Sequence, residues 1–243
     1  MNEIPAGAAA PEATPFTAAG AWRGFVVTQP FALGGLLYGM TFGILALGNG
    51  LSLVEAMFMS LTVFSGSGQI AAVGAMNVGA GLYATVATVV LLNTRYVLYG
   101  AALRPWLGGI APLKAYSLLY LVGDANWVVN MRARENGERD AGFVLGSGLA
   151  LFFPWMAGTL IGALTGGWIP NTKALALDFF LVGFCAAMMV GIFRSRPNYL
   201  SAAVALAAAL LADRFLSGGW PIVAAGLAGI LVAYWQAPAK DAT

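Results

Sequence analysis

Long apolar runs separated by short clusters of charge dominate this chain. Apolar segments occupy roughly residues 24–47, 52–78, 82–103, 114–131, 141–164, 174–193, 198–213 and 219–236. A helix rises 1.5 Å per residue, so about 20 apolar residues cross the roughly 30 Å of bilayer hydrocarbon. The pattern predicts an all-α fold: a polytopic membrane bundle of about eight transmembrane helices. The seventh segment is the shortest. Its core, Leu200 to Ala212, is about 13 residues long, a length that also suits a tilted or re-entrant piece.

The ends read differently. Residues 1–22 are rich in Ala and Pro, carry Glu3 and Glu12, and place no basic stretch before an apolar core. They are expected to form a disordered N-terminal tail rather than a secretory signal. Residues 23–236 form the expected transmembrane domain, and 237–243 a second tail. No internal repeat is visible by eye, although an inverted repeat can lie below sequence similarity.

Composition sharpens this picture. Of 243 residues, 60% are hydrophobic and 9% charged, against about 25% charged in a soluble domain. There is no histidine and one cysteine. That removes His-containing zinc sites, His-based triads and Cys–His nucleophiles. No Walker A pattern occurs, so no nucleotide cofactor and no enzyme activity are expected. The net charge of +2 comes without a basic run, so nucleic acid is not an expected partner, whereas the lipid bilayer is. With eight crossings and the N-terminus inside, seven Lys or Arg fall on the cytoplasmic side and four on the other. A re-entrant second segment would invert everything after it and turn the dense Arg132–Asp140 cluster to the wrong side, so eight crossings are expected. The expected location is the cytoplasmic (inner) membrane, with both termini inside.

Two glycine-rich stretches lie deep in apolar segments. Gly34-Gly35 sits near the middle of the first, and Ser65-Gly66-Ser67-Gly68-Gln69 interrupts the second. Glycine favours helix weakly, so both are expected as breaks. A break at depth leaves backbone N–H and C=O groups that must face protein or a wet cavity, as in transporters with discontinuous helices. Close helix packing is the alternative reading, and it suits Gly39-x-x-x-Gly43 and Gly158-x-x-x-Gly162-x-x-x-Gly166 better. Gln69 adds an amide that packing does not require.

Arg95 lies inside the third segment, at a cost of about 2.5–3.5 kcal/mol on insertion scales. Asp124 lies at similar depth in the fourth, so an Arg95–Asp124 pair is available, with Asn93 and Asn126 beside it. A purely structural salt bridge is the alternative. Asn130 is expected at the interface, and Asp178 lies near the outer end of the sixth segment.

The ordered set Gly39-x-x-Phe42-Gly43, Ser60, Phe64-Ser65-Gly66-Ser67-Gly68-Gln69, Asn93-x-Arg95 and Asp178-Phe179 resembles the AzlC-type branched-chain amino acid permeases, from about Phe25 to Ala233. The resemblance implies the large subunit of an amino acid exporter that works with a small membrane partner of about four helices. Tyr96 stands where that family usually has histidine, and Asp124-Ala125-Asn126 where it usually has Asp-Glu. The expected function is secondary export of branched-chain or other apolar amino acids, driven by an ion gradient. Expected substrate-binding residues are Gly34, Gly35, Ser65, Gly66, Ser67, Gly68, Gln69, Asn93 and Arg95. Coupling would fall to Arg95, Asp124, Asn126 and Asp178. The alternatives are a non-transporting scaffold subunit and a channel.

Overall fold

The computed structural model describes residues 14–77, 79, 81–166, 199–215 and 220–236. These residues are almost wholly helical, with no strand among them. In chain order the helices are α1 (Ala18–Gly48), α2 (Leu53–Val63), α3 (Gly66–Asn77), α4 (Leu82–Asn93), α5 (Arg95–Leu107), α6 (Pro112–Tyr120), α7 (Asp124–Glu135), α8 (Gly142–Thr165), α9 (Tyr199–Asp213) and α10 (Trp220–Gln236). Most carry apolar residues on all sides. Large side chains such as Leu33, Val97, Leu113, Phe153 and Leu231 point outward, as suits a surface facing lipid rather than water. The all-α membrane bundle is therefore as expected.

The chain divides into two compact units, Met1–Leu37 with Arg95–Gly158, and Tyr38–Thr94 with Thr159–Thr243. In the first unit α1 and α8 run parallel in close contact. A Cβ added to Gly24 would collide with the Phe143 carbonyl, and one on Gly146 with the Ala21 carbonyl. The same holds in the second unit, where Gly43 lies against the Thr159 carbonyl and Gly162 against the Met40 carbonyl. Gly39-x-x-x-Gly43 and Gly158-x-x-x-Gly162-x-x-x-Gly166 lie on this small-residue seam. This packing corrects the expectation at Gly34-Gly35. α1 continues unbroken through both glycines and through Pro30, because contact along its length outweighs their low helix propensity. Gly35 rests in ordinary contact with Leu151.

The second correction concerns the path of two apolar segments. In the first unit α5 runs antiparallel to α6, with Gly100 facing Leu119. It runs parallel to α7: Arg95 meets Asp124, Tyr99 stacks on Trp127, and Trp106 Nε1 donates to the Arg139 carbonyl at 2.9 Å. α6 and α7 therefore oppose each other, and the segment 112–135 enters and leaves at one end. Its 9- and 12-residue helices reach only about 13 and 18 Å, half a bilayer. The second unit repeats the arrangement. Phe64 adopts the left-handed conformation at φ 40°, and Gln69 returns to hydrogen-bond Ser60. The two residues stand about equally far from the reversal, so α2 and α3 also form a hairpin of half-length helices. α4 then packs antiparallel on α3, with Asn93 against Ser65.

Among the described residues three helices are long and apolar enough to cross a membrane: Ala18–Gly48, Leu82–Leu107 and Gly142–Thr165. Segments 52–78 and 114–131 are thus hairpins rather than crossings. The order long helix, hairpin, long helix occurs twice, with α4–α5 shared. α6 starts at 112 and α2 at 53, 59 residues apart; α7 starts at 124 and α3 at 66, 58 apart. The sixth segment, 174–193, lies outside the described residues.

Residues 14–17, within the stretch expected as a tail, are tied to the α7–α8 connector. Thr17 donates through its backbone N–H (3.0 Å) and its hydroxyl to Asp140, and Ala141 N–H donates to the Pro15 carbonyl at 2.8 Å. Arg23 pairs with Glu138 at 2.9 Å. Burial pushes the Asp140 carboxyl up, but hydrogen bonds from Thr17 and Gly142, with Arg23 nearby, outweigh it and hold the group below the usual carboxylate range.

Candidate functional site

Each reversal carries a polar cluster within its own unit. In the second unit, α2 starts at a capping box in which Ser52 and Glu55 exchange backbone and side-chain hydrogen bonds. Glu55 thus serves as the N-terminal cap partner of α2. α2 then ends at the left-handed Phe64, and α3 opens with Gly66, Ser67 and Gly68 in its first turn. Ser65 Oγ donates to Asn93 Oδ1 at 2.7 Å. Gly68 sits against both of these residues, and a Cβ there would lie 3.0 Å from Ser65 Oγ and 3.2 Å from Asn93 Oδ1. Glycine at 68 is what lets α3 approach α4 this closely. Gln69 Nε2 donates to Ser60 Oγ at 3.0 Å, and Ser60 shares a hydrogen bond of 2.9 Å with Thr159 Oγ1. All three side chains are fully buried. Gln69 Oε1 has no hydrogen-bond partner among the described residues. A buried acceptor without a partner costs on the order of 1–3 kcal/mol, which leaves it available to a ligand's N–H.

In the first unit the reversal is Leu121–Gly123. Asn126 accepts from Gly123 N–H at 2.7 Å and donates to the Leu121 carbonyl at 2.8 Å. Both halves of its amide are thus used to close the turn. Asp124, the first residue of α7, pairs with Arg95 Nη2 at 3.1 Å and accepts from the Tyr99 hydroxyl at 2.8 Å. The Arg95 guanidinium also lies 5.4 Å from the Tyr96 ring centroid. Tyr96 occupies the position where histidine was expected from the family pattern, and it serves as an aromatic face. A carboxylate held by one cation and one phenol can bind an ammonium, or release its arginine when it takes a proton.

The expected site residues thus separate into groups. Ser65, Gly66, Ser67, Gly68, Gln69 and Asn93 come together in the second unit. Arg95, Asp124 and Asn126 come together in the first, where Asn126 shapes the turn. Gly34 and Gly35 lie inside α1 and join neither cluster. Asp178 lies outside the described residues. Asn130, expected at the interface, is fully buried and accepts from Ser147 at 2.8 Å. The reason is that α7 turns back into the first unit, where α8 covers it. Sequence reasoning passed over Thr159 and Tyr99. Tyr99 had a signal, since it lies one helical turn after Arg95 and shares its face. Thr159 had none, because its partner is 99 residues away. Among the described residues no cluster of acidic or cysteine side chains could hold a metal ion.

Known proteins resemble this chain along most of its length. The family model for the AzlC protein matches residues 30–169, a range holding both hairpins and both clusters. An uncharacterized membrane protein of Archaeoglobus fulgidus is 30% identical over 218 residues, covering 88% of this chain and 94% of the relative. The inner membrane protein YgaZ of Escherichia coli is 27% identical over 86% of this chain and 87% of its own length. The branched-chain amino acid transport protein AzlC of Bacillus subtilis is 26% identical over 85% of this chain and 81% of its own. No solved structure matches. With the family model covering more than half of its length, and an archaeal relative 30% identical along most of it, this membrane protein belongs to the AzlC family.

Proposed function

We propose that this protein exports branched-chain or other apolar amino acids as the large subunit of a two-component secondary transporter. The observation that carries the reading is the Arg95–Asp124–Tyr99 cluster beside a helix reversal in an otherwise apolar segment. Charge at that depth is costly, and a chain keeps it where it handles a polar or ionic substrate. The name of the Bacillus subtilis relative supports branched-chain amino acids as the substrate class. In this reading the Ser65–Gln69 reversal and Asn93 of the second unit receive polar groups of the substrate, and Arg95 of the first unit is kept as a carboxylate partner on the sequence pattern alone. Protonation of Asp124 would release Arg95, linking transport to a proton gradient without histidine. Asp178 is retained as a coupling candidate on the sequence pattern alone, and a small four-helix membrane subunit is the proposed partner.

The hairpins also support an orientation. Arg23, Arg104, Lys114, Arg132, Arg134 and Arg139 belong to the first unit, at the end bearing the start of α1. The connectors 49–52 and 78–81 of the second unit carry no Lys or Arg. By the positive-inside rule this charge pattern supports an N-terminus in the cytoplasm of an inner-membrane protein.

The test is efflux of labelled leucine, isoleucine and valine from cells expressing the chain with its small partner. Arg95→Ala and Asp124→Asn should each abolish efflux while membrane insertion persists. Normal efflux by both variants would remove the pair from the mechanism, and no efflux of any apolar amino acid by the parent would overturn the substrate class.

A further inference from the structure

The face of α5 turned away from α7 carries a second feature. A groove of about 800 Å³ lies between α5 and α6 in the first unit. Its walls are Val97, Gly100, Ala101 and Leu107 of α5 with Ala115 and Leu119 of α6, nearly all apolar. From Val97 to Leu107 the groove follows about 15 Å of helix, the depth of one leaflet of a roughly 30 Å hydrocarbon core. At Gly100 the two walls come near each other, since a Cβ there would lie 3.7 Å from Leu119.

Charge enters at one end only. Arg104 lines the groove three residues before α5 stops, at headgroup level, and its side chain is exposed. Two other arginines of this unit are matched, Arg23 by Glu138 and Arg95 by Asp124. Arg104 makes no ion pair among the described residues. Pro112 stands opposite at the start of α6, a helix start with no side-chain cap. A groove that is apolar along one leaflet's depth and cationic at its rim is complementary to a lipid with an acyl chain and a net negative headgroup. A zwitterionic lipid would set its ammonium against Arg104.

We propose that this groove holds one anionic phospholipid, acyl chain along Val97–Leu107 and phosphate on Arg104, in the leaflet on the side of the N-terminus. One basic residue near a membrane surface changes anionic-lipid affinity by about fivefold. The experiment is native mass spectrometry of the full chain from detergent, titrated with phosphatidylglycerol against phosphatidylcholine. The parent should retain one phosphatidylglycerol about fivefold in preference to phosphatidylcholine. Arg104→Gln should bring the two to parity, and Ala101→Phe, which fills the groove, should weaken retention of both. Thermal unfolding of each variant should match the parent, which separates lost binding from lost folding. Equal retention by the parent, an unchanged preference in Arg104→Gln, or a groove occupied by a second copy of the chain (seen as a lipid-free dimer) would each overturn the proposal.

Discussion

A topology experiment distinguishes a hairpin from a crossing in each of the two segments that double back. If the segment 52–78 crossed the membrane, Asn49 and Gly81 would face opposite sides; as a hairpin it returns both to one side. The same logic holds for Ala111 and Asn136 around the segment 112–135. The magnitudes leave little room between these outcomes. α2 and α3 have 11 and 12 residues, about 16 and 18 Å, against roughly 30 Å of hydrocarbon. To cross, the two would have to align end to end. Gln69 would then be drawn roughly 13 Å along the axis from Ser60, and the 3.0 Å bond between them would be lost. The polar residues now enclosed at the reversal would meet lipid, at several kcal/mol for each unpaired backbone group. The sole cysteine, Cys185, can be replaced by serine, after which cysteines at positions 49, 81, 111 and 136 are introduced one at a time. A membrane-impermeant maleimide is then applied to intact cells, and again after permeabilisation. Positions 49 and 81 should label alike, from outside. Positions 111 and 136 should both require permeabilisation, together with a tag on the N-terminus. Opposite behaviour within either pair would refute the hairpin there.

Other outcomes follow from the packing and the charges. Gly146→Ala should destabilise the protein by at least about 1–3 kcal/mol in thermal or denaturant unfolding, because its methyl meets the Ala21 carbonyl of a rigid helix; Gly74→Ala, inside α3 with nothing within 4 Å, should instead stabilise by up to about 1 kcal/mol. Tyr99→Phe keeps the ring stacked on Trp127 and removes one hydrogen bond to Asp124; it should slow efflux by up to about tenfold, for a bond worth about 0.5–1.5 kcal/mol. Asp140 and Glu138, in the α7–α8 connector, both have folded pKa values below their ordinary ones. Their stabilisation is therefore fully present above about pH 4.5, and is lost as pH falls through the lowered values. Unfolding monitored from pH 7 to pH 3 should show this loss, and Asp140→Asn should remove Asp140's share of it.

How much of this was legible beforehand differs from residue to residue. The apolar runs set the class and the positions of the long helices, since a bilayer imposes a length of about 20 residues on any crossing. Arg95 and Asp124 stood out because charge at depth is costly, and their pairing followed from equal depth on adjacent segments. The reversal at Phe64–Ser65 was visible as a cluster of Gly and Ser. The same logic applied to Gly34-Gly35 gave a break that does not exist. Glycine marks a place where the backbone is free to bend or free to approach a neighbour, and only the neighbour decides which. There, α8 lies alongside and α1 stays helical.

The sequence by itself determined that this is an all-helical membrane protein, which side chains would be buried at a cost, and which family it resembles. Local composition carries those facts, because hydropathy and charge act residue by residue. The tertiary structure alone decided that two apolar segments double back at half depth, that Asn126 closes a turn, and that Thr159 completes the Ser60–Gln69 cluster from a distant helix. A hairpin and a straight span can share one hydropathy profile. They differ only in which backbone and side-chain polar groups find partners across the fold, and those partners lie far apart along the chain.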